Sequence, residues 1–261
     1  MQQGRDYQIY GNEMQFIEIS LDSQRSIVAE AGSLMMMDDG VVMETIFGDG
    51  TDENRGMMER LLGAGKRLIT GESLFMTQFT YTGPGEKNVY FAAPYPGEII
   101  PIDLSQYGGK LICQKDAFLC AEQGVSIGIE FQRRLGVGFF GGEGFIMQKL
   151  EGSGVAFLHA GGNICEKELA PQEKVRIDTG CLVAMTQQVD YDIEYVGNVK
   201  TALFGGEGIF FATLTGPGKV WIQSLPFSRL ASRVFAASPQ GGGKNKDEGS
   251  VLGGLGNLFE R

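Results

Sequence analysis

Short apolar runs rich in valine, isoleucine, phenylalanine and tyrosine follow one another through most of the chain. Glycine, proline or aspartate breaks them at intervals of about 8 to 12 residues, the pattern of an all-β sandwich or barrel. Some runs alternate apolar and polar positions. Others are apolar throughout: Leu34-Met35-Met36-Met37 and Gly208-Ile209-Phe210-Phe211-Ala212 offer apolar side chains to both faces. That suits strands covered on both sides, where one repeat packs on the next or a subunit packs on its partner. Two stretches change to a helical period. Across residues 51–67, Met57, Met58, Leu61 and Leu62 share one face with Glu59 and Arg60 off it; this predicts a helical insertion that plugs an open edge of the β core, or else a lid or docking helix. Phe227, Leu230 and Val234 fall at i, i+3 and i+7 and predict a cap helix over 225–237, ended by Ser238-Pro239. Beyond it, residues 238–250 carry too little apolar content to order, and Val251 to Phe259, with apolar side chains among its glycines, reads as a disordered end or else a loose docking peptide; a flexible glycine-rich tail is expected over 238–261.

The apolar runs also repeat. A block of Gly-Glu, apolar residues and then Gly-x-Gly occurs three times: Gly71-Glu72-Ser73-Leu74-Phe75 to Gly83-Pro84-Gly85, Gly142-Glu143-Gly144-Phe145-Ile146 to Gly152-Ser153-Gly154, and Gly206-Glu207-Gly208-Ile209-Phe210 to Gly216-Pro217-Gly218. Upstream, Ala31-Gly32-Ser33-Leu34 aligns with Asp116-Ala117-Phe118-Leu119 and with Thr179-Gly180-Cys181-Leu182. Downstream, each block runs into an aromatic or β-branched stretch: Val89-Tyr90-Phe91, Ala156-Phe157-Leu158 and Val220-Trp221-Ile222. The expected organisation is one all-β domain, 1–237, made of three tandem pseudo-repeats near 8–95, 96–161 and 162–224 plus the cap helix. Each repeat leaves an apolar face that only a neighbour can cover. The Gly-Pro-Gly segments predict tight turns, since proline presets φ and glycine tolerates positive φ.

Composition narrows the function. With 22 basic against 32 acidic residues the formal charge is -10, which argues against a nucleic-acid partner, because such binding replaces condensed counterions with Lys and Arg. Cys113, Cys120, Cys165 and Cys181 match no Cys-x-x-Cys spacing and read as free, buried thiols. The first twenty residues mix Arg5, Asp6, Glu13 and Glu18 with apolar positions, giving no signal-peptide core, and a cytoplasmic location is expected. A single histidine, His159, rules out a histidine-rich metal site, and no Ser or Cys elbow lies near it in sequence. The Gly-Gly-Glu-Gly stretches are not followed by Gly-Lys-Ser/Thr, so they are not phosphate loops.

The glutamates of the repeated block are the candidate site. Glu72, Glu143 and Glu207 each follow a glycine and enter an apolar strand, and a buried, unpaired carboxylate costs several kcal/mol. Basic residues lie a few positions upstream: Lys66 and Arg67, Arg133 and Arg134, and Lys200. One reading ties each glutamate to backbone amides or to such a cation at a strand corner. The other brings the three carboxylates together around a cation or a polar ligand.

At Ala29-Glu30-Ala31-Gly32-Ser33-Leu34, Phe139-Phe140-Gly141-Gly142-Glu143-Gly144-Phe145, Leu203-Phe204-Gly205-Gly206-Glu207-Gly208 and Gln223-Ser224-Leu225-Pro226-Phe227, the chain resembles the family of altered inheritance of mitochondria protein 24. The resemblance extends from about Tyr7 to Phe235. It implies a triplicated version of the fold of the tryptophan RNA-binding attenuation protein, a short double-stranded β-helix that assembles into rings. It also implies a tendency to oligomerise and, through mitochondrial relatives, a link to inner-membrane organisation. It implies no enzyme activity, and the attenuation protein's RNA binding does not carry over to this acidic chain. The expectation is therefore a non-enzymatic homo-oligomeric scaffold, with a protein partner or a membrane-associated complex and with no catalytic residue, metal or cofactor. The alternative is a small-ligand or cation-binding protein with its site at Glu72, Glu143 and Glu207.

Overall fold

A computed structural model describes residues 2–3, 6–47, 75–133, 145–195 and 210–237. The chain is all-β. It divides into two units, Met1–Ser228 and Arg229–Arg261, and every described strand belongs to the first. After β1 (Gln2–Gln3) and β2 (Tyr7–Tyr10), the strands fall into three sets of six. The first set is β3 (Phe16–Leu21), β4 (Ser26–Glu30), β5 (Leu34–Met37), β6 (Val42–Phe47), β7 (Phe75–Thr80) and β8 (Lys87–Ala92). The second is β9 (Gly97–Asp103), β10 (Lys110–Gln114), β11 (Phe118–Glu122), β12 (Val125–Arg133), β13 (Phe145–Gly152) and β14 (Val155–Gly161). The third is β15 (Ile164–Leu169), β16 (Lys174–Asp178), β17 (Leu182–Thr186), β18 (Asp190–Tyr195), β19 (Phe210–Thr215) and β20 (Gly218–Gln223). An α-helix, α1, covers Phe227–Ala237. The segments 51–67 and 238–261 lie outside the described residues. No described helix is long and apolar enough to cross a membrane.

Pairing follows one rule in every set. The first, sixth and third strands of a set lie side by side, as do its second, fifth and fourth. The second strand of one set then pairs antiparallel with the third strand of the next, β4 with β11 and β10 with β17. Two six-stranded sheets result, β6-β7-β4-β11-β14-β9 and β12-β13-β10-β17-β20-β15, flanked by β1-β2-β3-β8-β5 and by β16-β19-β18. Three apolar cores lie between successive sheets. Ile17, Leu21, Phe79, Phe91 and Phe157 fill the first, Leu111, Phe118, Leu150 and Trp221 the second, and Phe145, Met147, Leu182 and Leu214 the third. The two inner sheets are thus covered on both faces, which is why β17 is buried at every position while β3, with one face covered, strictly alternates.

The register corrects one detail of the sequence alignment. A β-bulge interrupts the third strand of each set at the same place, between Leu34 and Met36, Phe118 and Cys120, and Leu182 and Ala184. Phe118, not Leu119, therefore stands where Leu34 and Leu182 stand; Leu119 occupies the bulge with Met35 and Val183. The turns after β7, β13 and β19 need glycine, with φ of +80° at Gly85, +137° at Gly154 and +140° at Gly218. At Gly152 an added Cβ would also collide with the carbonyl oxygen of Gly124.

Candidate functional site

Glu72, Glu143 and Glu207 lie outside the described residues, as do Lys66, Arg67, Arg134 and Lys200. Each glutamate stands two or three residues before the fifth strand of its set, since β7, β13 and β19 begin at Phe75, Phe145 and Phe210. Among the described residues, no group of three or more His, Cys, Asp or Glu side chains converges as a metal site would require. Two other features stand out.

The first is a pair of unmatched sheet edges. The third strand of each set is the same structural element in three settings. In β11, Leu119, Cys120 and Ala121 are 2%, 0% and 0% exposed, and in β17 Val183, Ala184 and Met185 are 0%, 0% and 1% exposed. In β5 the counterparts Met35, Met36 and Met37 are 53%, 49% and 38% exposed. Two things differ: β11 and β17 are flanked by the second strand of the preceding set, and Leu119 with Cys120, like Val183 with Ala184, pack into the core toward the preceding sheet; among the described residues β5 has neither neighbour. On β6, at the edge of the next sheet, Val42 and Met43 are exposed as well. At the other end β16, the second strand of the last set, has no successor; it is exposed or half-buried throughout, whereas β4 and β10 are mostly buried. Leu34–Met37 was expected to be covered on both sides, by a neighbouring repeat or by a partner subunit, and among the described residues of this chain β5 has β8 as its one strand neighbour.

The second feature is a group of perturbed titratable side chains. Glu30 ends β4, and burial, followed by the neighbouring charge of Asp116, raises its carboxyl pKa to about 7 against the opposing pull of Lys115. Tyr95 is 8% exposed, and burial with the Asp116 charge pushes its phenol to about 12. Its ring meets that of His159 edge to face at 4.4 Å. His159, on β14, is 1% exposed, and neither ring nitrogen has a hydrogen-bond partner. Burial lowers its pKa to about 4; the Tyr95 backbone pulls weakly the other way without forming a well-aligned bond. Cys113 and Cys120 are buried thiols pushed upward by desolvation, whereas Cys165 is exposed and Cys181 half-buried. The expectation of buried thiols therefore fails at Cys165. Among the described residues its strand β15 is a sheet edge paired with β20. Sequence reasoning passed over Glu30, although its place between two alanines at the end of an apolar run marks a carboxyl entering a core.

A family model described as mitochondrial biogenesis AIM24 matches residues 7–225. The chain belongs to the AIM24 family. A relative, uncharacterized protein M6_Spy0233 of Streptococcus pyogenes serotype M6, is 30% identical over 227 residues, covering 85% of this chain and 86% of its own length. The crystal structure of protein SPYM3_0169 from Streptococcus pyogenes is similar with a TM-score of 0.69 at 25% identity, covering 88% of this chain and 98% of that one. In this AIM24 chain the Gln223-Ser224-Leu225 segment stitches strands together. Buried Gln223 accepts from the Gly161 amide at 2.7 Å and donates to the Gly180 carbonyl at 2.8 Å. Leu225 donates its amide to Gly161 at 3.1 Å. A side chain at Gly161 would strike the Leu225 carbonyl. This motif therefore serves the architecture.

Proposed function

We propose that this AIM24 protein is a non-enzymatic interaction protein that works as an oligomeric scaffold, its role being to build an assembly rather than to transform a substrate. The observation that carries this reading is the exposure of Met35, Met36 and Met37 on a strand whose two internal counterparts are fully buried. Exposed apolar surface on an unpaired sheet edge is what a folded protein hides unless something docks there. Methionine suits such a surface, since its flexible thioether adapts to a partner. The titratable group adds support: His159 is enclosed in the core and closed to a substrate, and the raised Glu30 carboxyl lies among structural neighbours. The family's association with mitochondrial biogenesis fits an organising role and supplies no reaction.

Size-exclusion chromatography with light scattering over a dilution series tests the reading. A defined multiple of the chain mass is expected. A strict monomer at every concentration overturns it.

A further inference from the structure

The proposal of an assembly rests on an exposed edge, and the internal repeats identify what covers it. We infer that the partner of β5 is β16 of a second copy of this chain, joined head to tail in a fixed antiparallel register.

The register comes from the two junctions already formed within the chain. At the first, Cys120 lies opposite Ala29, Ala121 opposite Val28, and Glu122 opposite Ile27. At the second, Ala184 lies opposite Cys113, Met185 opposite Ile112, and Thr186 opposite Leu111. The shared bulge equates Met36 and Met37 with Cys120 and Ala121. Pairing with the fifth strands equates Val175, Arg176 and Ile177 with Ile27, Val28 and Ala29. The third junction therefore sets Met36 opposite Ile177, Met37 opposite Arg176, and Asp38 opposite Val175.

Backbone polarity agrees with this register independently. The Asp38 amide donates to the Asn88 carbonyl at 2.9 Å, on the β8 side. Backbone groups alternate along a strand, so Met37 turns its N–H and C=O to the open side. On β16, the Gly216 amide donates to the Glu173 carbonyl at 2.9 Å, so Val175 also faces β19 and Arg176 presents its backbone groups outward. Met37 and Arg176 thus meet as a hydrogen-bonded pair. Their internal counterparts, Ala121 and Val28, have the same phase, because the Gln123 amide two residues on donates to the Ser26 carbonyl at 3.0 Å.

Joining the edges also completes the architecture. The strands then run β18-β19-β16-β5-β8-β3, the order seen in both inner sheets. β5 gains the edge neighbour that β11 and β17 have, and its outer face, with Met35 and Met36, gains the kind of cover that buries Cys120 and Ala184 in the cores toward their preceding sheets. Because the two edges differ, the contact is heterologous, and each chain offers one of each kind; such contacts close into rings or run on as filaments. A β5–β5 or β16–β16 pairing has no counterpart in the chain.

Two edge-blocked variants test this. Proline at an outward-facing position removes the donor without breaking the existing ladder, so Met37→Pro blocks β5 and Arg176→Pro blocks β16. Each alone is expected to be monomeric, with circular dichroism like that of the wild type and a cooperative thermal transition that no longer depends on protein concentration. Mixed at concentrations well above those at which the wild type assembles, they should form a 1:1 dimer and nothing larger, because one intact β5 meets one intact β16. Met36→Glu with Ile177→Glu repeats the test through side chains in case a proline variant fails to fold. An Arg176→Pro protein that dimerises alone, or a mixture that stays monomeric while the wild type assembles, overturns the inference and leaves the scaffold reading standing. A monomeric wild type removes both.

Discussion

Glu30 and His159 are predicted to offset each other in the dependence of stability on pH. The Glu30 carboxyl rises from 4.5 to about 7 in the folded chain. Its folded-state pKa is raised, so its stabilising contribution is complete below pH 4.5 and is lost as pH rises toward 7, where the unfolded chain has long been ionised. His159 falls from 6.5 to about 4. Its folded-state pKa is depressed, so its contribution is complete above pH 6.5 and is lost as pH falls toward 4. Each displacement corresponds to about 3 kcal/mol at about 1.4 kcal/mol per pH unit, an upper figure because both sites relax on charging. Between pH 4.5 and 6.5 the two slopes are opposite and nearly equal, so these groups together leave stability flat. Removing either exposes the other. Urea unfolding at several pH values should show Glu30→Gln losing stability, relative to its own value at pH 6.5, as pH falls to 4.5, and His159→Asn gaining it. Each difference from the wild type should reach about 2 kcal/mol between pH 4.5 and 6.5, with opposite sign. Profiles parallel to the wild type for both variants would refute the burial of these groups.

Three further outcomes follow from the packing. Trp221 is 1% exposed, flanked by Tyr107 and with the Lys219 ammonium 5.0 Å from its ring centre, so Trp221→Ala should cost about 3–5 kcal/mol by chemical denaturation. At Gly97 an added Cβ meets the Ala160 carbonyl and the His159 ring; Gly97→Ala should cost about 1–3 kcal/mol by the same assay. Iodoacetamide, read by peptide mass spectrometry, should label Cys165 in the native protein and reach Cys113 and Cys120 only after denaturation.

The hairpins were legible because the turns after β7, β13 and β19 need the same chemistry, and a Gly-x-Gly segment marks each of them. The all-β class followed from short runs of β-branched and aromatic residues. The pairing of the second strand of one set with the third strand of the next was not legible. Apolar patterning says that β11 and β17 are covered but not by what, and Leu34–Met37 carries the same pattern while standing exposed. The misplaced leucine has a local cause: Phe118 and Leu119 are both apolar and buried, so residue type alone does not say which of them stands where Leu34 and Leu182 stand, and the ladder matches Leu34 to Phe118. The interior polar group escaped for another reason. Glu30, Tyr95 and His159 are far apart in sequence, and only the stacking of sheets makes burial their common environment. Glu72, Glu143 and Glu207, the residues singled out from the repeat, lie outside the described residues, and their two readings stand as the sequence left them.

Hydrogen exchange at the backbone amides of Met37 and Arg176, followed over a range of protein concentrations, bears on the edge-to-edge assembly more closely than any other measurement. If β5 of one chain pairs with β16 of the next, both amides become slow together as concentration rises, approaching the protection of Ala121 and Met185, while the outer edge of β18 stays fast. If Met37 and Arg176 exchange at the rate of open edges at every concentration, the two edges do not meet and the proposed assembly is wrong.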